Sequence, residues 1–361
     1  MADFIDTRGR GTGQSPPNRF ERLSVEEDAG AWEEIAANDP DFEKKRPRTE
    51  TYRDDTQSII TTNRSPDIGF EKSLNPYRGC EHGCSYCYAR PYHEYLGFNA
   101  GLDFETKLMV KERAPELLER EMARKSWVPT CLACSGVTDC YQPIEKKYEI
   151  TRQCLEVLRD FRNPVGIITK NSLITRDLDL LAELANFNAS AVMLSITSLD
   201  PKLAGILEPR ASRPQARLNA VKAISEAGIP AGVSLAPVIP GLNEHEIPAL
   251  LEAAADHGAQ FASYTILRLP YGVKDIFEDW LERHFPGRKE TVLGRIRDLR
   301  GGKLNNSQYG SRMSGEGPQA KQISNLFRVS AERCGLNREY SRRNLSIDSF
   351  RRRMPGQMEL F

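Results

Sequence analysis

The sequence lacks any apolar run that approaches the ~18 residues a helix needs to cross a membrane, so we expect no transmembrane segment. Its N-terminus, MADFIDTRGRGTGQSPP, also lacks the apolar stretch of a secretory signal. We therefore expect a cytoplasmic protein whose 8 cysteines remain reduced. In a reducing compartment, clustered cysteines indicate metal binding or catalysis more often than disulfide bonds.

The sequence also lacks a net charge, because 50 Lys and Arg residues balance 50 Asp and Glu residues. The charges are unevenly distributed, however: residues 283–361 contain 17 basic and 7 acidic side chains, and residues 1–282 contain 33 and 43. A basic end on an acidic body is a mild indication of nucleic-acid binding. A solvated helical surface would give the same distribution, so charge alone does not decide between the two.

Short apolar runs alternate with amphipathic stretches between residues 68 and 265, in a chain that is 39% hydrophobic and can bury a sizeable core. Continuously apolar strands are typical of parallel sheets that are buried on both faces. The alternation predicts a parallel α/β array, either an open barrel or a doubly wound sheet. The predicted strands are 72–77, 131–137, 165–169, 191–197, 231–237 and 261–267, and the helices between them are 114–125, 149–161, 172–186, 213–227 and 244–257.

The same pattern divides the chain into four regions. Residues 1–55 are rich in Gly, Pro and charge, which indicates a disordered or loosely packed N-terminal segment. Residues 56–270 contain the predicted strands and form the core. Residues 271–340 are predicted to be a helical, basic extension with a long Gly/Ser/Asn loop, and residues 341–361 to be a tail.

Three cysteines, Cys80, Cys84 and Cys87, lie within eight residues of one another in the stretch NPYRGCEHGCSYCYARPY. A zinc site normally takes four ligands in two separated pairs, and His82 lies inside the same short loop. A ferredoxin cluster uses four cysteines. Three thiolates leave one iron of a [4Fe–4S] cluster with an open position, where a substrate or cofactor can bind. The lack of a fourth cysteine in register therefore favours a catalytic cluster.

The C-x3-C-x2-C spacing, with Tyr86 directly before the last cysteine, resembles the signature of the radical S-adenosylmethionine (SAM) superfamily. The resemblance covers most of the predicted βα region and implies a partial (β/α)6 barrel. It implies that Cys80, Cys84 and Cys87 hold a [4Fe–4S] cluster whose remaining iron binds SAM, with Tyr86 beside the cofactor. One electron, from a donor such as flavodoxin or ferredoxin, then cleaves SAM and yields a 5′-deoxyadenosyl radical.

Further residues match positions of that family one at a time. Thr138 and Asp139 stand where the family has a Gly-Gly-Glu that holds the amino group of SAM, so the acidic acceptor is kept although the motif differs. Lys170 follows the third strand and suits the SAM carboxylate, and Ser195, at the end of the fourth, suits ribose or carboxylate. Arg210 follows in LEPRAS. All five lie at or after the carboxyl ends of predicted strands, where parallel βα folds place their sites.

The stretches GLDFETKL, TDCYQPIE and RNPVGIITKN resemble a radical SAM subgroup near spore photoproduct lyase, described as DNA-repair-photolyase-like. That lyase uses a cysteine near the end of its second strand as a hydrogen-atom donor, and tyrosines beside its cluster cysteines. Tyr86 and Tyr88 fall at similar positions, and Cys134 and Cys140 bracket the region of the donor. Cys131 and Cys134 lie in one predicted strand and should point to opposite faces, so they cannot share a metal.

We therefore expect a radical SAM enzyme that acts on nucleic acid in a DNA-repair-like lyase reaction. The alternatives are radical SAM modification of a protein, peptide or small molecule, and a non-catalytic DNA-associated iron–sulfur protein. The last five residues, Gln357 to Phe361 (QMELF), resemble the pentapeptide with which bacterial replication and repair proteins bind the DNA sliding clamp. A tail that folds back onto the barrel is the other interpretation of these residues.

Overall fold

The computed structural model describes residues 7–21, 47–338 and 345–352. Most strands in these ranges are short, as expected for strands between helical crossovers. They are β1 (Glu50–Arg53), β2 (Ile60–Thr62), β3 (Lys72–Leu74), β4 (Tyr77–Arg78), β5 (Lys107–Val110), β6 (Leu132–Cys134), β7 (Val165–Thr169), β8 (Ser190–Ser195), β9 (Ala231–Val238) and β10 (Phe261–Ile266).

Seven strands form one sheet, in the order β10-β9-β8-β7-β6-β3-β2. Six of these strands run parallel to one another: β3, β6, β7, β8, β9 and β10. The seventh, β2, pairs antiparallel to β3. These six parallel strands are the six predicted from the sequence. They follow one another in chain order without the reversal of a doubly wound sheet. The open, sequential sheet confirms the prediction of a partial (β/α)6 barrel.

Helices connect the parallel strands and continue beyond the last one. The predicted helix at 172–186 begins as a 3₁₀ helix, Ser172–Asp177, before the α-helix. Within the described residues, no helix is long and apolar enough to cross a membrane. The α-helices are α1 (Leu102–Thr106), α2 (Ala114–Ala123), α3 (Glu145–Tyr148), α4 (Ile150–Phe161), α5 (Leu178–Ala185), α6 (Pro201–Leu207), α7 (Pro214–Glu226), α8 (Ile247–Asp256), α9 (Val273–His284), α10 (Lys289–Asp298) and α11 (Gly317–Arg333).

The two faces of the parallel sheet differ in side-chain size. Val165 and Ile167 of β7 are buried in the main core between sheet and helices. The alternate position of the same strand is Gly166, which pairs with Ala133 of β6. Successive residues of a strand point to opposite faces, so Gly166 and Ala133 face the inside of the barrel, the face on which Met193 and Phe261 also pack. At Gly166 and Ala133 the inner face leaves space that a ligand can occupy.

Part of the predicted loose N-terminal segment is packed against the core. The backbone N–H of Gly11 donates to a carboxylate oxygen of Glu105 at 3.0 Å. A Cβ on Gly11 would lie 1.5 Å from the carbonyl oxygen of Gly83, so only glycine allows this approach of two backbones. Gly11 thus serves close packing, which the composition of the segment did not distinguish from disorder. Residues 22–46 lie outside the described part of the chain.

The extension after the core is also packed on it. Ile323 and Phe327 of α11 are buried in the main core. The Phe327 ring lies 4.8 Å, between ring centroids, from Tyr264 of β10. Such aromatic pairs add stabilisation beyond the area that they bury.

One ion pair joins the two edges of the open sheet. Asp67 lies in the connection between β2 and β3 at one edge. At the other edge, the carbonyl of Met313 accepts a hydrogen bond of 2.9 Å from the N–H of Ile266 in β10. Arg312, beside Met313, donates to both carboxylate oxygens of Asp67, at 2.7 and 2.5 Å. The two side chains are 13% and 11% exposed, so the pair closes the gap of the partial barrel with little access of water.

This pair should make stability depend on pH. The hydrogen bond from Arg312 lowers the pKa of Asp67 from its ordinary value of 3.8. A lowered folded-state pKa stabilises the fold above pH 3.8, and that stabilisation is lost as the pH falls below it. Asp67→Asn leaves Arg312 without its carboxylate and should lower the free energy of unfolding at pH 7 by up to roughly 3–5 kcal/mol. Urea denaturation at pH 7 and at pH 3 measures both effects.

A matched control is Glu116→Gln, which breaks the exposed pair between Arg113 and Glu116, whose side chains are 40% and 58% exposed. Exposed pairs contribute about 0–1 kcal/mol, so this variant should unfold like the wild type. An Asp67→Asn variant with the same stability and pH profile as the control would show that the sheet edges are held by other contacts.

Candidate active site

Three cysteines lie in one loop, residues 79–89, which follows β4. We call it the cysteine loop. Cys80 and Cys84 are each 7% exposed, and Cys87 is partly buried. Cys87 packs against both the apolar group that contains Cys80 and the one that contains Cys84. The three thiols therefore border one common region at the carboxyl end of the first parallel strand.

A fully buried guanidinium holds the cysteine loop in place. Arg90 donates through Nε and Nη2 to the carbonyl oxygen of Cys84, at 3.0 and 2.9 Å. It also pairs with Glu105 at 2.5 Å, and both side chains are 0% exposed. Gly83 adopts a φ of 66° beside this pair, and a Cβ there would lie 2.7 Å from the Glu105 carboxylate. The loop conformation thus depends on a buried ion pair and on a glycine that leaves room for it.

The donor set fits an iron–sulfur cluster. Burial raises the pKa of all three thiols, and the charges of Asp139, Cys84 and Cys87 raise that of Cys80 further. Metal binding would take these buried groups as thiolates and release their protons. In the described residues, no group of three or more His, Cys, Asp or Glu is arranged to hold a single metal ion. Three sulfur donors in apolar surroundings nevertheless provide what a larger cluster requires.

Asp139 connects the cysteine loop to the ends of two strands. Its carboxylate accepts hydrogen bonds from the Thr169 hydroxyl at 2.7 Å and the backbone N–H of Lys170 at 2.8 Å. It lies 3.4 Å from Nδ1 of His82, whose ring is buried in the cysteine loop. Burial alone would raise the pKa of Asp139, but the interaction with His82 and the hydrogen bonds from the Thr169 hydroxyl and the Lys170 backbone outweigh it and lower the pKa to about 2. Groups of the protein itself therefore use much of the hydrogen-bond acceptor capacity of the Asp139 carboxylate.

Lys170 extends from the end of β7 toward the cysteines. Its Nζ donates to the carbonyl oxygen of Ala236 at 3.3 Å and lies 6.0 Å from the ring centroid of Tyr86. Its charge also lowers the pKa of Cys84 and Cys87 against the opposing effect of burial. A partly buried cation beside three thiols can offset part of the negative charge of a thiolate-bound cluster, or bind a carboxylate.

Tyr86 is anchored in a buried polar network. Its hydroxyl donates to the carboxylate of Glu208 and lies 3.3 Å from the hydroxyl of Thr197. The other oxygen of Glu208 binds Arg217, and neither of these two side chains is more than 1% exposed. Burial would raise the pKa of Glu208, but the charges of Arg217 and Lys170 lower it to about 2. The network fixes the Tyr86 ring and hence the backbone next to Cys87.

The remaining SAM-site candidates lie around the same edge but differ in their contacts. The Thr138 hydroxyl donates to the carbonyl of Tyr77 at 2.8 Å, which directs it to the backbone. Ser195 is 4% exposed at the end of β8. Arg210 donates to Glu81 of the cysteine loop at 3.1 Å. Arg210 therefore holds the cysteine loop through Glu81, and Thr138 holds the backbone at Tyr77, just before that loop.

Two predicted hydrogen-atom donors lie elsewhere. Cys134 and Cys140 are 2% and 0% exposed in the main core on the helix side of the sheet. Cys131 instead packs with Met193 and Phe261. The opposite faces predicted for Cys131 and Cys134 are therefore confirmed, since β6 alternates like any strand. The placement of Cys134 and Cys140 gives no support to a donor role, because both side chains face the helices.

Tyr88 lies at the surface of the cysteine loop and is 43% exposed. Its hydroxyl donates to the carbonyl of Gly136 at 3.0 Å. The connection between β2 and β3 reaches the same point, because a Cβ on Gly136 would lie 3.4 Å from the Phe70 ring. This connection, Leu345 and the inner face of β6 and β7 line an open cavity of about 830 Å³. A cavity of this size can hold a nucleotide-sized ligand.

Sequence reasoning missed several residues that build the site: Arg90, Glu105, Glu208 and Arg217. Each is a single charged residue with no motif spacing of its own. Burial would identify them, because long charged side chains are almost never fully buried unless they are paired. Only the structure shows which charged side chains are buried.

Residues 74–254 match the family model of the radical SAM superfamily. A Mycobacterium tuberculosis protein named only as uncharacterized is 37% identical over 234 residues, which are 64% of this chain and 68% of that protein. A Methanocaldococcus jannaschii protein with a similar name is 28% identical over 227 residues, which are 63% of this chain and 81% of that protein.

Solved structures of spore photoproduct lyase share the fold. The lyase complexed with dinucleoside spore photoproduct gives a TM-score of 0.57 at 18% identity, over 79% of this chain and 80% of the lyase chain. A mutant lyase with the same dinucleoside gives a TM-score of 0.58 at 16% identity, over 85% and 92%. The family match and the cysteine loop lead to one conclusion: the chain belongs to the radical SAM superfamily, whose cofactors are a [4Fe–4S] cluster and SAM.

Proposed function

We propose that this protein is a radical SAM enzyme that acts on nucleic acid in a lyase-like repair reaction. The observation that carries the radical chemistry is the convergence of Cys80, Cys84 and Cys87 in one buried loop at the carboxyl ends of parallel strands. When bound, the cluster and SAM supply a 5′-deoxyadenosyl radical. The cavity of about 830 Å³, lined by the β2–β3 connection and by Ala133 and Gly166, gives a substrate a place on the inner face of the sheet.

We assign roles to five residues of the site. Cys80, Cys84 and Cys87 ligate the cluster. Lys170 binds the carboxylate of SAM, because it is the partly buried cation that extends toward the thiols. Asp139 is a positioning residue, since its carboxylate is committed to the strand ends and to His82.

The nucleic-acid substrate rests on two supports. The described structure resembles a lyase whose complex contains a dinucleoside photoproduct, and that likeness concerns the fold alone. The chain also carries a basic end, with exposed lysines such as Lys303 and Lys321. We further propose a cytoplasmic protein that takes its electron from flavodoxin or ferredoxin. Modification of a peptide or small molecule and a non-catalytic iron–sulfur role remain the alternative functions.

The cluster assignment is tested by single replacements in anaerobically reconstituted protein. Cys80→Ala, Cys84→Ala and Cys87→Ala should each lose most of the bound iron and sulfide. Cys131→Ala and Cys334→Ala are matched controls, since both thiols are partly buried but lie outside the cysteine loop, and both should keep the cluster. Loss of iron from Cys131→Ala, with normal folding by circular dichroism, would contradict the assignment.

SAM binding and cleavage are tested on the same reconstituted protein. The reduced wild type should change its electron paramagnetic resonance spectrum on addition of SAM and form 5′-deoxyadenosine. Lys170→Met should keep iron and weaken SAM binding by roughly 1.5–3 kcal/mol, the contribution of a charge-assisted hydrogen bond. Lys222→Met, at a lysine whose side chain is 61% exposed, is the control. Wild-type protein that holds a cluster but never cleaves SAM would favour the non-catalytic alternative.

Nucleic-acid binding should depend on the exposed basic residues of the extension. The double variant Lys303→Gln/Lys321→Gln should bind single-stranded DNA more weakly, and its plot of log affinity against log salt should be less steep by about 0.7 for each phosphate that the variant no longer neutralises. Lys125→Gln/Lys202→Gln removes two exposed lysines of the body and serves as the control. Equal binding by both double variants would remove this support. Truncation near residue 300 is unsuitable, because it also removes Arg312 and its pair with Asp67.

The last five residues, 357–361, lie outside the described residues, and their binding to the sliding clamp stays a separate proposal. Buried aromatic anchors dominate small interfaces, so Phe361→Ala should cost about 2 kcal/mol or more of clamp affinity. A peptide of the last ten residues, titrated against the clamp by fluorescence anisotropy, measures this. A peptide that does not bind would leave the tail without this role.

A further inference from the structure

Three arginines lie together beside the cysteine loop: Arg268, Arg300 and Arg312. Within the described residues, they make a single ion pair among them, between Arg312 and Asp67. The group therefore carries more positive than negative charge in a region that is largely shielded from water. Unbalanced buried charge is costly unless a counter-charge arrives, so this group of side chains favours an anionic partner.

Two of the three have structural tasks. Arg312 donates to both oxygens of Asp67 and joins the sheet edges. Arg300, 2% exposed, donates to the carbonyls of Arg312 at 2.7 Å and of Leu267 at 2.8 Å. It thereby fixes the segment around Arg312 against the end of β10. Burial and the charge of Arg268 lower the pKa of Arg300 to about 10, against the opposing charge of Glu316.

Arg268 has no comparable task. Its Nη1 approaches the sulfur of Met313 at 3.6 Å, and a thioether is a weak acceptor. Its Nε is buried and has no hydrogen-bond partner. Burial and the charge of Arg312 lower its pKa. A guanidinium fork with one weak acceptor and a free Nε–H retains its capacity to bind an oxyanion through two donors.

Arg268 lies between Tyr88 of the cysteine loop and the segment that contains Arg312 and Met313. Its Cζ lies 5.8 Å from the ring centroid of Tyr88, the residue after Cys87. On the other side, Arg312 binds Asp67, which lines the cavity inside the barrel. Lys170, by contrast, extends from the end of β7, three strands away from β10 in the sheet. A second cation at the β10 edge is therefore not needed for the SAM carboxylate.

We propose that Arg268 binds a phosphate group of the substrate and holds it beside Tyr88, between the cysteine loop and the Arg312–Asp67 pair. The charge of Arg300 behind it favours a strongly anionic ligand. This inference rests on the proposed function for its site but names a ligand class, a phosphate ester, that the cysteine loop alone does not imply. The phosphate can belong to a nucleic-acid strand or to a free nucleotide, and the test separates these sources.

The test compares Arg268→Met with Arg268→Lys in reconstituted protein with equal iron content. Inorganic phosphate should raise the melting temperature of the wild type, raise it less for Arg268→Lys, and leave Arg268→Met unchanged. A single-stranded oligonucleotide should bind Arg268→Met at least ten-fold more weakly, whereas SAM affinity should stay the same. Thymidine 5′-monophosphate is titrated in parallel, and tight binding of this nucleotide with weak oligonucleotide binding would identify a nucleotide substrate.

Three outcomes would overturn the proposal. Phosphate and both nucleotide probes could act on Arg268→Met as on the wild type. The variant could lose SAM binding alone, in which case the guanidinium serves the cofactor. Without ligand it could melt well below the wild type, as a structural arginine would, whereas replacing an unpaired buried charge with Met should be neutral or stabilising. Failure of the wild type to form 5′-deoxyadenosine is a separate readout and bears on the radical SAM function only.

Discussion

The site depends on one buried ion pair, between Arg90 and Glu105, which has no exposed surface. Arg90 donates through Nε and Nη2 to the Cys84 carbonyl of the cysteine loop, and Glu105 accepts a hydrogen bond from the backbone N–H of Gly11 in the N-terminal segment. Two pieces of chain far apart in sequence are thereby fixed against the cysteines. Because a buried charge without its partner is strongly unfavourable, the pair allows one arrangement of the loop and disfavours others.

Buried pairs of ionisable side chains recur along the carboxyl edge of the sheet. Glu208 with Arg217 fixes the backbone beside Cys87, and Asp139 with His82 fixes the loop against β6 and β7. Each pair costs desolvation and contributes orientation, which is what a site that must control a reactive radical needs. The apolar helix side of the sheet provides the stability that offsets this cost.

The fold could be predicted because its six parallel strands are short apolar runs between amphipathic helices, and this pattern is local. The cysteines and Lys170 could be predicted because spacing, or position after a strand, marks them. The orientations of Cys134 and Cys140 could not, since they depend on the exact length of β6 and on the turn after it. Arg268, Glu208 and Arg217 could not either, because their importance lies in the partners that they have or lack. Residues 7–21 could not, because a glycine that permits close packing resembles one that permits disorder.

The Arg312–Asp67 pair spans 245 positions of the chain, and both partners lie outside the residues 74–254 that carry the family match. The catalytic core is therefore not a self-sufficient unit of this protein. A fragment limited to the matched residues would end with β9 on one side and lack most of β3 on the other, so that backbone groups at both edges would be unpaired. Open strands of this kind recruit other strands, so such a fragment would tend to aggregate. The flanking regions thus protect the edges of the half-open barrel from pairing with other chains.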